Sequence, residues 1–166
     1  MTESTTSISA KLKNAAARFA SGVTVVLSGR TGCVHGVTVS AFNCVSLDPP
    51  LVLVCVNEHS KIARLIEETR AFTVNVLSEE QIDLSHGFAK AGREPVHALA
   101  EPHQFGSTGV PILAGAVSHF ECEVSSCQRA GDHAIFLGRV VDAGASDLRP
   151  LVYFNRSYAG LVHPAA

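Results

Sequence analysis

Residues 22–56 read GVTVVLSGRTGCVHGVTVSAFNCVSLDPPLVLVCV. Three runs rich in β-branched residues, at 23–28, 34–42 and 51–56, are separated by glycines and by the Asp48-Pro49-Pro50 turn. Runs of this composition, bounded by Gly and Pro, are typical of β-strands. We therefore expect three consecutive strands that pair as an antiparallel meander.

Two helices and a strand are predicted around this stretch. Apolar residues recur at helical spacing over residues 7–20, which predicts an amphipathic opening helix. The same spacing over 59–70 predicts a second helix, and residues 71–77 return to a strand pattern.

The second half of the chain opens on a capping-box spacing, Ser78 to Gln81, which predicts a short helix running towards Phe88. Residues 89–115 are rich in Gly and Pro and predict a long irregular loop, of the kind that often serves as a lid or a binding loop. Three more strands are expected, at 116–126, 133–141 and 151–154.

The order of these elements favours one fold class. So few helices between the strands disfavour a parallel doubly wound sheet. We predict a mainly β fold, an antiparallel and Greek-key-like split β-barrel with peripheral helices. The length suits a single domain over residues 1–166, with residues 1–6 as a flexible tail.

The composition excludes several classes of protein. With 46% hydrophobic and 17% charged residues the chain is not disordered, and its surplus apolar surface suggests a subunit interface. A formal charge of −2 argues against a nucleic-acid partner. The longest apolar run, 51–56, is too short for a membrane helix, and the N-terminus lacks the features of a signal peptide. We expect a soluble cytoplasmic protein with no membrane partner.

Familiar catalytic motifs are missing from the sequence. It contains no G-x-G-x-x-G, no P-loop, no H-E-x-x-H and no C-x-x-C. The eight histidines are scattered, so we predict no metal site. The five cysteines lie mostly in or beside apolar runs, and we expect them to be buried, reduced and structural. No Cys stands at a recognisable nucleophile turn, which disfavours a hydrolase with a Cys–His pair.

Three short segments carry polar groups that suit a ligand. Asn57, Ser60 and Lys61 lie at a helix start, where backbone N–H groups attract phosphate, although Ser60 as a plain N-cap explains the same residues. Thr38 and Ser40 alternate along a strand, so both hydroxyls face one side, as they also do on any half-exposed strand. The Gly131-Asp132-His133 segment fits a binding turn, although an ordinary type I turn explains the same residues more simply.

The order of the motifs is more specific than any one of them. The chain closely resembles the flavin reductase-like family, which includes the reductase components of two-component flavin-dependent monooxygenases, over residues 14–162. The segments that carry the resemblance are FASGVTVV at 19–26, TVSAF at 38–42, DPPL at 48–51, Asn57 with Ser60-Lys61, FTVNVL at 72–77, GDHAIFLGRV at 131–140 and YFNRSY at 153–158.

The resemblance implies a homodimeric, flavin-binding split barrel that reduces FAD or FMN with NADH, NADPH being possible, and releases reduced flavin to a separate monooxygenase component. The hydride chemistry then belongs to the two cofactors, while the protein positions them. His133 is the catalytic assignment, since it matches a histidine near the nicotinamide and would orient the dinucleotide. The other implied cofactor contacts are Thr38, Val39, Ser40, Ala41, Asn57, Ser60, Lys61, Phe88, Asp132 and Tyr158.

Some alternatives stay open at this point. A non-catalytic flavin-binding barrel has the same fold, and the pairing of His133 with Tyr158 argues against it because it implies a dinucleotide site. Residues 89–100 match the family poorly, so FAD and FMN are not distinguished. No basic cluster that would bind the 2′-phosphate of NADPH is evident, and this absence favours NADH. Arg129 alone could serve as such a contact.

Overall fold

The computed structural model describes residues 7–30, 32–90, 92, 94–96 and 99–162. The predicted flexible tail at 1–6 lies outside the described residues, and the single domain over 1–166 stays a prediction. Within the described residues there are twelve strands and three α-helices. The helices are α1 (Ile8–Ala16), α2 (Lys61–Thr69) and α3 (Ile82–Ala89), the last preceded by a 3-10 turn at Glu79–Gln81. The strands are β1 (Ser21–Gly22), β2 (Thr24–Arg30), β3 (Cys33–Val39), β4 (Phe42–Leu47), β5 (Pro50–Asn57), β6 (Ala71–Val76), β7 (His103–Phe105), β8 (Pro111–Leu113), β9 (Ser118–Ala130), β10 (His133–Ala145), β11 (Val152–Phe154) and β12 (Ser157–Ala159).

Seven strands form one antiparallel sheet in the order β3-β2-β6-β9-β10-β5-β4. The two edge strands, β3 and β4, are joined directly through Ser40 and Ala41. A two-residue connection can link opposite edges only if the sheet curls back on itself, so the sheet forms a barrel. The antiparallel split barrel predicted from the sequence is confirmed.

The strand predicted at 34–42 was wrong in one respect, because it is two strands. β3 ends at Val39 and β4 begins at Phe42. Val39 and Phe42 both pack against the same core cluster, one from each edge of the sheet. The chain therefore turns at Ser40 and Ala41, and this corner brings the two edges together.

The barrel separates two apolar cores. Along β2, Val26 belongs to the cluster that includes Ile62 and Phe136, whereas Val25 and Leu27 belong to a second cluster on the other face of the strand. Alternate side chains of a strand point to opposite faces, so β2 is buried on both sides. Helix α2 packs on the first core and helix α3 on the second.

The predicted helices are present but shorter. Helix α1 ends at Ala16 and α2 begins at Lys61, with Ser60 as its N-cap. The capping box is confirmed, since the Ser78 N–H donates to Gln81 Oε1 at 3.1 Å. The loop predicted at 89–115 contains the hairpin of β7 and β8, which the Gly and Pro content of this region hid.

The expectation that the cysteines are buried was largely wrong. All five are free thiols, but Cys33, Cys44 and Cys127 are exposed and Cys55 is half-buried. Cys33 and Cys44 lie on the two edge strands, where an apolar neighbourhood in sequence does not mean burial. Cys122 alone is buried, and burial raises the pKa of its thiol to about 12, with a further contribution from the Glu121 carboxylate.

Candidate functional site

The connection between β3 and β4 is the centre of the first group of predicted residues. Thr38 and Val39 close β3, and Ser40 and Ala41 form the turn into β4. Tyr158 on β12 faces the same place, because it lines a small cavity together with Thr38, Val39 and Ser40. We call Thr38, Val39, Ser40, Ala41 and Tyr158, together with the other residues that line the cavities described next, the Ser40 corner.

Two cavities adjoin at the Ser40 corner. The larger has a volume of about 740 Å³ and is lined by residues of α1, of the β3–β4 connection and of the C-terminal strands. The smaller, of about 220 Å³, lies between Ser40 and α3. Ser40 and Tyr153 line both, so the cavities share a border. The larger volume falls within the range of about 300–1,000 Å³ that small-molecule sites occupy.

A hydrogen-bond network centred on Ser85 holds the polar groups of this corner. The Tyr158 hydroxyl lies 2.8 Å from the Ser85 hydroxyl, and Ser85 is fully buried. The Thr38 hydroxyl donates to the Ser85 carbonyl at 2.7 Å. Around Tyr158, the rings of Tyr153 and His86 stand edge-on at centroid distances of 5.6 and 5.1 Å. One residue of α3 therefore fixes both Thr38 and Tyr158.

The predicted ligand-facing hydroxyls of Thr38 and Ser40 differ in their surroundings. Both residues line the smaller cavity, but the Thr38 hydroxyl is used by α3, whereas Ser40 is exposed. Ser40 therefore keeps its hydroxyl at the surface of the corner, and Thr38 acts there through its position beside α3.

The second group of predicted residues lies where β5 ends and β10 begins. His133 is directly opposite Asn57 in the register of these strands. The Glu58 N–H donates to the Asp132 carbonyl at 3.1 Å, which ties the two connections together. We call Asn57, Ser60, Lys61, Asp132 and His133 the His133 end.

The helix start at this end is well formed. The Asn57 side-chain carbonyl accepts from the His59 N–H at 3.0 Å, and the Ser60 hydroxyl donates to the Asn57 backbone carbonyl at 2.6 Å. The same Ser60 oxygen accepts from the Ala63 N–H at 3.3 Å, so the N-cap is confirmed. Lys61 forms an ion pair with Glu94, a residue of the long loop.

The imidazole of His133 is oriented by its neighbour in sequence. Its Nδ1 lies 2.7 Å from the Asp132 carboxylate. The hydrogen bond from His133 is the main reason that the pKa of Asp132 lies below its usual value. The two side chains are 47% and 84% exposed, so a ligand reaches the ring without rearrangement of the fold.

The two groups are linked along the outer face of β5. The Cys55 N–H donates to the Ala41 carbonyl at 3.0 Å, and Asn57 follows two residues later on the same face. A strand rises about 3.3 Å per residue, so Asn57 lies about 7 Å beyond that contact. The site is therefore an elongated surface, with a cavity at the Ser40 corner and exposed polar groups at the other end.

Two predicted cofactor-binding residues, His133 and Phe88, lie away from the cavities of the Ser40 corner. Among the described residues, none of the His133 end lines either cavity, so His133 lies outside the small cavity that Tyr158 lines. Phe88 is 1% exposed and packs on β3, where a Cβ at Gly36 would come within 2.6 Å of its ring. Phe88 has a core position here, and its contact with flavin stays a prediction.

The structure adds residues that the sequence did not assign. The larger cavity is bordered by two cations, Lys13 and Arg156, and by the exposed ring of Phe19. Phe19, Tyr153 and Arg156 fall inside the motif segments at 19–26 and 153–158, which was the signal available for them. Lys13 and Ser85 lie outside every quoted motif, and only the fold reveals their position.

Other kinds of site receive no support from the described part of the chain. No group of three or more His, Cys, Asp or Glu residues there is arranged to hold a metal ion. No helix among the described residues is long and apolar enough to cross a membrane.

Comparison with known proteins identifies the family. The model of the flavin reductase-like domain matches residues 16–162. A protein named NADH-dependent flavin reductase from Rhodococcus sp is 39% identical, over 90% of this chain and 85% of its own length. The reductase component of a 4-nitrophenol monooxygenase from Rhodococcus opacus is 36% identical, over 92% and 81%.

Solved structures agree with the sequence relatives. The flavin reductase PheA2 superposes with a TM-score of 0.84 at 35% identity, over 92% of this chain and 97% of its own. The NADH:FAD oxidoreductase SgcE6 of Streptomyces globisporus C-1027, in complex with NAD and FAD fragments, superposes with a TM-score of 0.88 at 30% identity, over 96% of both chains.

Proposed function

The chain belongs to the flavin reductase-like family, and on that premise we propose how its surface serves an NADH-dependent flavin reductase that supplies a monooxygenase component. The observation that carries the activity is the match, over nearly the whole chain, to relatives named as NADH-dependent reductases and as reductase components. The same relatives make a non-catalytic flavin-binding barrel the weaker alternative. We divide the work of binding between the Ser40 corner and the His133 end.

The Ser40 corner fits a flavin. Its larger cavity is mostly apolar, as Ala16, Ala41, Phe42 and Leu53 contribute to the lining, and a few polar groups border it. Flat aromatic ligands bind in such cavities, where a small number of polar contacts fix their orientation. Lys13 and Arg156 add positive charge that suits an anionic cofactor. When bound, flavin and nicotinamide together supply the hydride chemistry.

We assign the residues of the corner to positioning the flavin ring. Ser40 offers a hydroxyl at the turn, and the backbone of Val39 and Ala41 borders the same surface. Thr38 and Tyr158 are held in place by Ser85, so the wall of the cavity is preorganised before a ligand arrives. Preorganised groups cost little reorganisation when the ligand binds.

We assign the His133 end to the charged parts of the ligands. Lys61 and the N-terminus of α2 suit a phosphate group, because the unpaired N–H groups and the helix dipole favour anions there. Asp132 holds the His133 ring by its Nδ1, which leaves Nε2 to contact the dinucleotide. His133 thus orients NADH, and neither residue accepts the hydride.

We further infer a homodimer. Helix α1 has no buried side chain, and Ile8 and Leu12 are 80% and 67% exposed. A nine-residue helix with an unpacked apolar stripe is marginal in water, so a second copy of the chain is the natural cover. Half-buried Leu53 lines a cavity together with residues of α1, and Ile135 and Leu137 are half-buried on the neighbouring strand β10.

The dimer has a direct test. Light scattering of the purified protein should give twice the 17.5 kDa mass of one chain. Leu12→Asp should shift the protein towards the monomer because it places a charge in the interface. A monomeric wild-type protein at micromolar concentration would contradict the proposal.

The enzymatic assignment is tested by NADH oxidation in air, with FAD, FMN or no added flavin. The rate should be negligible without flavin and should saturate as flavin is added. Binding of flavin without turnover would leave the fold in place and refute the reductase function. The flavin with the higher kcat/KM is the preferred substrate.

A further inference from the structure

The contact between Lys61 and Glu94 joins two segments that are distant in the sequence. Lys61 begins α2, and Glu94 belongs to the segment between α3 and β7. The Lys61 ammonium is hydrogen-bonded to the Glu94 carboxylate, and the two side chains are 37% and 75% exposed. The Glu94 carboxylate is therefore paired with the ammonium group that we assign to binding the flavin phosphate.

Glu94 is held in this place by the backbone two residues further on. Val96 forms an antiparallel bridge with Val34 on β3, with both N–H···O bonds at 2.8 Å. β3 is an edge strand of the sheet, and Val96 forms an isolated bridge to this edge. The bridge lies two residues from Glu94, whose carboxylate contacts Lys61.

The charges of the pair are well defined at neutral pH. The hydrogen bond and the charge of Lys61 are the main causes that lower the pKa of Glu94 below its usual value. Glu94 is therefore an anion at neutral pH. Because the pair is solvent-exposed, its contribution is small and a second anion can displace it.

We propose that Glu94 is an exchange residue: its carboxylate competes with the flavin phosphate for Lys61 and so weakens the retention of flavin. The inference rests on the proposed function. With flavin absent, Glu94 neutralises Lys61. With flavin bound, the released carboxylate stays close to the phosphate and repels it. Both effects favour departure of the flavin, which suits a reductase whose product is used by another protein.

The experiment compares FMN with riboflavin, which has the same ring and no phosphate. Dissociation constants are measured by fluorescence titration for the wild type, Glu94→Gln, Lys61→Ala and the double variant. Glu94→Gln should bind FMN about two- to fivefold more tightly, the range of one exposed ion pair, and riboflavin unchanged. Lys61→Ala should weaken FMN only, and the effect of Glu94→Gln should shrink in its background.

A matched control separates this effect from net charge. Glu79→Gln removes the same charge from a carboxylate that pairs with Arg149 and lines neither cavity. It should leave the binding of both flavins unchanged. Equal tightening by Glu79→Gln would show a general charge effect and would overturn the proposal.

The remaining outcomes distinguish the inference from the function on which it rests. If Lys61→Ala weakens FMN while Glu94→Gln changes nothing or weakens it too, the role of Glu94 is refuted and the phosphate site stands. If Lys61→Ala leaves FMN binding unchanged, the role of Glu94 and the phosphate site at Lys61 are both refuted. NADH oxidation by the same wild-type preparation then shows independently whether the reductase function survives.

Discussion

The Ser40 corner and the His133 end hold their polar groups in opposite ways. At the corner, the Tyr158 hydroxyl reaches a fully buried Ser85. At the other end, the Asp132–His133 and Lys61–Glu94 pairs stand in solvent. A hydrogen bond to a buried side chain resists change because leaving that side chain unpaired is costly, whereas an exposed ion pair exchanges readily with water or a ligand. The molecule thus combines a rigid wall with an adaptable end, as suits ligands that come and go.

Removing the support of the rigid region should have the largest effect. Phe88→Ala leaves a cavity beneath β3 and should lower the free energy of unfolding by about 3–5 kcal/mol. Urea denaturation measures the loss. Phe19→Ala, at a ring that is 79% exposed, is the matched control and should change stability by less than about 0.5 kcal/mol. Similar losses in both variants would mean that α3 does not anchor the corner.

The buried network of the corner should show non-additive losses. Tyr158→Phe leaves the Ser85 hydroxyl without its partner and should destabilise the protein by about 1–3 kcal/mol. Adding Ser85→Ala should recover most of that loss, because no buried polar group then remains unpaired. Denaturation of the two single variants and the double variant gives the coupling energy. Tyr153→Phe, at the neighbouring exposed ring, is the control. Additive losses in Tyr158→Phe and Ser85→Ala would contradict the network.

At the adaptable end, His133→Ala should change catalysis rather than stability. We expect the KM for NADH to rise about two- to tenfold, the size of one hydrogen bond, with the KM for flavin unchanged. Asp132→Asn should give a smaller rise in the same direction. Because the pKa of Asp132 is lowered, its carboxylate stays charged in mildly acidic solution. Protonation of Asp132 therefore breaks the pair with His133 only in stronger acid. An unchanged KM for NADH in His133→Ala would refute the assignment of the dinucleotide to the His133 end.

Salt should produce the smallest difference between the two regions. Raising the ionic strength from about 0.05 to about 0.5 M screens exposed charges and should weaken FMN binding by about twofold, while riboflavin binding stays constant. Parallel fluorescence titrations measure both. Equal salt effects on the two flavins would show that the phosphate is not held by exposed charge.

Much of the fold could be predicted from the sequence, and particular residues show why. The β-branched runs, the Ser60 N-cap and the Ser78–Gln81 capping box are local signals, and each is present in the structure. The break of the strand at Ser40 was not predictable from local pattern, because apolar and polar residues alternate from Val37 to Ala41, across the break. It arises from the closure of the barrel, which joins two edges that are far apart in the sheet order.

The candidate site shows the same limit. The family resemblance pointed to Ser40, Lys61 and His133, and the structure arranges them along one surface. Ser85 and Glu94 could not be assigned in advance, since the first contacts a residue 73 positions away in the sequence and the second pairs with one 33 positions away. Contacts of this separation depend on the topology of the chain and leave no local pattern.

We assign the two regions to opposite ends of one flavin, and a crystal structure of the protein with FMN would decide whether they hold it together. We expect the ring at the Ser40 corner and the phosphate at Ser60 and Lys61, with Glu94 displaced from the Lys61 ammonium. A phosphate bound at Lys13 and Arg156 instead, with the Lys61–Glu94 pair intact, would refute the assignment.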